Sequence, residues 1–120
     1  MFSEGKIQTI LASSFDKEPV DDRLTEVGFE VDEPAFDIII DDGLHTEEAN
    51  IGTFFTFEPY LKSGGVYIIE DIDYDDVAYD SDESYAAIER VMQIIRDHGD
   101  FEVELHEPKG FHPLIVAHKN

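Results

Sequence analysis

Two apolar runs, Phe36-Asp37-Ile38-Ile39-Ile40 and Val66-Tyr67-Ile68-Ile69, dominate the pattern, each rich in β-branched or aromatic residues. Continuous runs of this kind read as strands buried on both faces, as in a parallel sheet covered by helices. Between them, 46–61 has helical length. Thr46 is placed as N-cap, Glu47 and Glu48 favour the helix dipole, and Ile51, Phe54, Phe55 and Leu61 fit one buried face. Lys62-Ser63-Gly64-Gly65 then reads as a stop and turn. The unit is strand, helix, strand, with a right-handed crossover expected.

The flanking segments are weaker. Residues Lys6 to Ala12 alternate as a strand, and Ser13-Ser14-Phe15-Asp16 reads as a loop. Asp21 to Glu30 predicts a short helix with Leu24 and Val27 inward, and Pro34 breaks any helix before the Phe36 strand. Asp71 to Glu83 is an acidic, tyrosine-dotted loop. It leads into a helix from Ser84 to His98, with Ala87, Ile88, Val91, Ile94 and Ile95 inward and Gly99 in the cap role. Phe101 to His106 and Leu114 to His118 alternate as two strands of a hairpin or wide β-loop around Pro108-Lys109-Gly110. The fold class is therefore α/β.

Composition narrows the function. With 120 residues there is room for one core, and an apolar fraction of 42% supplies it. Charge is the outlier: 29 Asp and Glu against 8 Lys and Arg give a formal −21. Such a surface repels nucleic-acid phosphates and anionic lipid, so neither is expected as a partner. It also repels itself, a strain that a high-salt cytoplasm or bound divalent cations would relieve. There is no cysteine, which excludes disulfides and thiolate metal sites. The N-terminal residues do not begin a signal peptide and no run reaches membrane-spanning length, so a cytoplasmic location is expected.

The candidate chemistry lies at the strand ends. Each apolar run ends in acids, Asp41-Asp42 after the first and Glu70-Asp71 after the second. Parallel strands would deliver both pairs to one carboxyl edge, where open α/β folds bind ligands. Asp42, Glu70 and Asp71 there could share Mg2+, which takes oxygen ligands and keeps several waters; alternatively they only cap helices and solvate loops. His45 follows Asp42 by three residues, near enough to carboxylates to serve as a general base, or else it is a surface histidine in a capping turn. His98, His106, His112 and His118 have no such setting. GxGxxG is absent, and no serine lies in a nucleophile elbow.

The stretch IIIDDGLH, followed by a helix and YLKSGGVYIIEDI, closely resembles the central part of class I S-adenosylmethionine-dependent methyltransferases. The branch it is most similar to is the metal-dependent one that includes macrolide sugar O-methyltransferases and cephalosporin-hydroxylase-like proteins. That branch carries IDDGSH, a helix, then LKPGGxYVIEDL. The closing LIVAHKN resembles the last antiparallel strands of the same fold.

The resemblance implies S-adenosylmethionine and Mg2+ as cofactors and a hydroxyl of a sugar or other small molecule as substrate. Asp42, Glu70 and Asp71 would be metal ligands. His45 would take the hydroxyl proton as the oxygen attacks the methyl sulfonium. Asp41 would be a neighbouring acid at the cofactor, and Ala12-Ser13 stand where the family carries Gly-Asp, so Ser13 replaces the adenine-side acid. It also implies an incomplete Rossmann-like methyltransferase fold, one partial domain over 1–120. The first two strands and the glycine-rich loop are missing, and KIQTILA is the third strand. Inactivity alone is then expected, with a second copy or a complementing N-terminal half as partner. The alternatives are a non-catalytic cation- or polyol-binding module and a fragment that pairs through its sheet edge.

Overall fold

The computed structural model describes residues 17–42, 46–70, 82–108 and 113–120. The expected strand Lys6–Ala12, the expected loop at Ser13 and residues 71–81 of the expected acidic loop from Asp71 to Glu83 lie outside the described residues, and Asp82 and Glu83 belong instead to the helix that follows. In chain order the elements are α1 (Lys17–Glu26), β1 (Phe36–Asp41), α2 (Glu47–Phe57), a 3-10 turn (Glu58–Tyr60), β2 (Leu61–Ile69), α3 (Asp82–Asp97), β3 (Phe101–His106) and β4 (Leu114–Lys119). The strands form one sheet in the order β1-β2-β4-β3. β1 and β2 are parallel, and β4 runs antiparallel to both β2 and β3. The strand-helix-strand unit and the terminal hairpin are therefore as expected.

The core lies on one face of this sheet. Tyr67 and Ile69 of β2, Ile115 and Ala117 of β4, and Phe101 of β3 pack against Phe54 of α2 and against Ala87, Ile88, Val91, Met92 and Ile95 of α3. α3 carries its apolar residues at helical spacing, and it ends before Gly99, whose φ of 97° is one that glycine adopts without strain. The edge-on ring of Phe54 against Tyr67 and Phe101, with centroids 5.3 and 5.0 Å apart, centres the cluster. A smaller cluster joins Val20 and Leu24 of α1 to Tyr60, with Phe29, Phe36 and Phe57 against it.

Several expectations are corrected. β1 is not buried on both faces: Ile38 and Ile40 are 59% and 54% exposed. Among the described residues both α2 and α3 join the cluster on the other face, so alternate residues of β1 remain uncovered. α1 starts at Lys17 instead of Asp21, because Pro19 in a first turn removes no helical hydrogen bond. Its buried pair is therefore Val20 and Leu24, and Val27 is exposed. Phe55 is exposed and Leu61 belongs to β2; the buried side of α2 is Ala49, Asn50, Thr53, Phe54 and Thr56.

Lys62-Ser63-Gly64-Gly65 is no turn before the strand but an irregularity inside it. Phe36 pairs with Leu61 and Ile38 with Val66, so β2 carries extra residues between those partners. Gly64 takes φ 85°, and a Cβ on Gly65 would meet Leu61 Cδ1 at 2.7 Å and Asp37 O at 2.9 Å. The glycines allow the irregularity, Gly64 through its positive φ and Gly65 by leaving room for Leu61 and the Asp37 carbonyl.

Candidate functional site

The parallel register determines what meets at the carboxyl edge. Asp41 pairs with Ile69, and the ladder continues one step further, where Glu70 N–H donates to Asp41 O at 3.0 Å. Asp42 and Glu70 therefore emerge side by side beyond the ends of β1 and β2. Asp42 is exposed and Glu70 half-buried, and neither forms an ion pair among the described residues.

Asp41 behaves differently from its neighbour because successive strand residues face opposite sides. It shares the core side with Ile39 and is only 6% exposed. Its Oδ2 accepts a hydrogen bond from Asn50 Nδ2 at 2.9 Å. Asn50 sits in the first turns of α2, where Thr46 Oγ1 accepts from Ala49 N–H at 3.1 Å as an N-cap and Thr46 O accepts from Asn50 N–H at 3.0 Å. Beneath them Tyr67 is fully buried and its hydroxyl has no hydrogen-bond partner among the described residues. Burial, and then the Asp41 charge, push the Tyr67 phenol well above its ordinary value.

The structure thus brings together Asp42 and Glu70, and turns Asp41 inward beneath them. His45, Asp71 and Ser13 lie outside the described residues. Among the described residues no group of three His, Asp or Glu side chains is arranged to hold a metal ion. The donors present are nonetheless of the right kind: two carboxylates at one edge, with no described cation on them, offer the hard oxygens that Mg2+ takes.

Asn50 was not anticipated from the sequence. Its signal is positional: it lies next to Ala49 and four residues before Phe54, on the stripe that faces the sheet, where a polar side chain requires a partner. The remaining histidines keep structural or solvated settings. His98 Nε2 lies 3.3 Å from Glu58 Oε1. His106 and His118 both lie against Glu104 Oε1, at 3.0 and 3.1 Å. Those contacts, His106 first, hold the exposed Glu104 carboxyl below its ordinary range. His112 lies outside the described residues.

The fold is part of the Rossmann-like methyltransferase fold. Structures of the MycE methyltransferase from the mycinamycin biosynthetic pathway superpose on it. The complex with Mg and SAH gives a TM-score of 0.57 at 24% identity, covering 93% of this chain and 31% of that one. The complex with Mg, SAH and mycinamycin VI gives 0.57 at 20% identity, covering 95% and 32%. In sequence, the chain is 32% identical over 69 residues to 8-demethyl-8-alpha-L-rhamnosyl tetracenomycin-C 2'-O-methyltransferase of Streptomyces olivaceus. That match covers 58% of this chain and 17% of the relative. No family model matches the chain. The chain resembles sugar O-methyltransferases, and it spans about a third of the length of the solved structures it matches. Among the described residues no helix is long and apolar enough to cross a membrane.

Proposed function

We propose that the chain carries the metal-binding and base half of an S-adenosylmethionine-dependent sugar O-methyltransferase site. The observation that carries this is the pairing of Asp42 and Glu70 at the ends of adjacent parallel strands, joined through the Glu70 N–H to Asp41 O bond of 3.0 Å. Asp42, Glu70 and Asp71 would hold Mg2+, and His45, three residues after Asp42, would accept the proton of the substrate hydroxyl. When bound, Mg2+ supplies Lewis-acid polarisation of that hydroxyl, and S-adenosylmethionine supplies the methyl group. Asp41 and Ser13 are the positions on this chain nearest in sequence to a cofactor role. The Mg and SAH bound in the MycE methyltransferase, and the 2'-O-methyltransferase activity of the Streptomyces olivaceus relative, support this reading.

The test is thermal melting of the full chain against Mg2+ or Mn2+ at constant ionic strength. A resident site predicts a saturable rise in melting temperature, because a ligand that binds only the folded state stabilises by mass action. Asp71→Asn should abolish the saturable part. Glu33→Gln and Glu102→Gln, which neutralise exposed acids away from the strand ends, should retain it. If all three variants lose it equally, the cation is only screening a −21 surface and the reading fails.

A second reading, pairing of β1 with another chain, is favoured by the exposure of Ile38 and Ile40 on a strand that, among the described residues, lies at the sheet edge. The other edge strand, β3, shows Glu102, Glu104 and His106 to solvent instead. Light scattering that gives a monomer at all concentrations and salts, with no gain in solubility for Ile38→Lys, would remove this reading.

A further inference from the structure

We propose that Asn50 is a positioning residue for the candidate metal centre, acting through Asp41 on both Asp42 and Glu70. The inference rests on the reading of those two carboxylates as metal ligands. Two of the bonds that Asp41 accepts bear on the edge. Its main-chain carbonyl accepts from Glu70 N–H at 3.0 Å, and its carboxylate accepts from Asn50 Nδ2 at 2.9 Å. The first bond fixes the backbone of one ligand, and the second anchors the residue that immediately precedes the other.

Asn50 is itself fixed, 3% exposed and tied by its N–H to Thr46 O at 3.0 Å within a capped first turn. One buried side-chain pair therefore links the end of β1, the extension of β2 and the start of α2.

The choice of an amide is chemically specific. A buried carboxylate needs a donor, and Lys or Arg would be the stronger one. A cation one residue from Asp42 would oppose the binding of a divalent ion. An amide donates to Asp41 without itself bringing a positive charge to the edge. Outer partners of this kind orient metal ligands, and their loss characteristically weakens metal binding.

The experiment is Mn2+ titration of the full chain followed by electron paramagnetic resonance of the free ion, with amide hydrogen exchange on the metal-free protein. Asn50→Ala is expected to weaken Mn2+ binding by about tenfold and to raise exchange at the Glu70 amide relative to Ile68. The reversed pair Asp41→Asn/Asn50→Asp keeps the volume and re-forms an amide–carboxylate bond, so it should return to within about threefold of wild type. Tyr67→Phe removes the neighbouring buried hydroxyl without touching the pair and should leave the affinity unchanged. Wild-type protein that binds no Mn2+ overturns the metal reading and the positioning role with it. If wild type binds, then Asn50→Ala with wild-type affinity or unchanged Glu70 exchange overturns the positioning role alone. So does a reversed pair that fails to fold, or that folds without regaining affinity.

Discussion

The two ends of β1 and β2 treat carboxylates in opposite ways. At the amino end of β2, Glu58 is largely buried and surrounded by donors. Lys119 Nζ lies 3.4 Å from its Oε2 and donates to Glu58 O and Leu61 O at 2.9 Å each, while His98 Nε2 approaches from the other side. Nearby, Tyr60 Oη donates to Asp21 at 2.7 Å. At the carboxyl end, Asp42 and Glu70 emerge together with no described cation on either, and the buried Asp41 between them is met by an amide. A chain with only 8 Lys and Arg for 29 acids has few cations to distribute. Lys119 fastens the structural end, and the described part of the other end keeps its negative field. In physical terms, one end has its charges matched by the fold, and at the other no described cation matches Asp42 or Glu70.

The largest expected effect comes from unfastening the structural end. Lys119→Met keeps the aliphatic stem but leaves Glu58 O, Leu61 O and a mostly buried carboxylate short of donors. A loss of about 2 kcal/mol of unfolding free energy is expected from leaving such groups unsatisfied. Urea denaturation measures it. An unchanged midpoint would mean that water replaces Lys119 freely, and the contrast between the two ends would weaken.

Tyr60→Phe should follow, at about 1 kcal/mol, since the ring stays packed and only the bond to Asp21 is lost. It also carries a pH signature. Burial, and then the bond to Asp21, push the Tyr60 phenol up from 10.0 to about 12. A group whose pKa is raised on folding gives its stabilisation in full below the unfolded value and loses it as pH rises through the folded one. Wild-type stability should therefore fall between pH 10 and about 12, and Tyr60→Phe should lack that part of the fall. Parallel alkaline losses in both proteins would place the titrating group elsewhere.

Much of this contrast could be read in the sequence, but unevenly. The parallel pair was legible because both strands are continuous apolar runs separated by a capped helix, and its register brought Asp42 and Glu70 to one edge as expected. The Thr46 cap, the α3 stripe and the closing hairpin rest on equally local signals. What stayed hidden depends on tertiary context. Alternation pointed the other way about Asp41, since Phe36, Ile38 and Ile40 form the wholly apolar set while Asp41 shares its face with Asp37 and Ile39, yet Asp41 is the residue that is buried. Lys119 and Glu58 lie 61 residues apart, and only the antiparallel return of β4 brings them together. Gly64-Gly65 carries the signature of a turn, yet the register absorbs it as an irregularity within β2.

The smallest effect is the sharpest test, because its sign differs between the two ends. Neutralising an acid at the fastened end, with Glu58→Gln, should destabilise, since Lys119 loses its counter-charge in a setting where Glu58 is only 14% exposed. Neutralising an acid at the other end, with Asp42→Asn, should stabilise the metal-free chain. The substitution removes repulsion from Glu70 and lowers the −21 surface by one charge, worth about 0.5 kcal/mol for partly exposed groups. Raising the salt should shrink that gain, because the Debye length falls to about 10 Å at 0.1 M. Saturating Mn2+ should then reverse the order, as wild type binds and Asp42→Asn does not. The measurement is a melting temperature for each protein at low salt, high salt and saturating Mn2+. If Glu58→Gln and Asp42→Asn shift the metal-free protein in the same direction, the two ends are electrostatically alike, and Asp42 has no special claim to a cation.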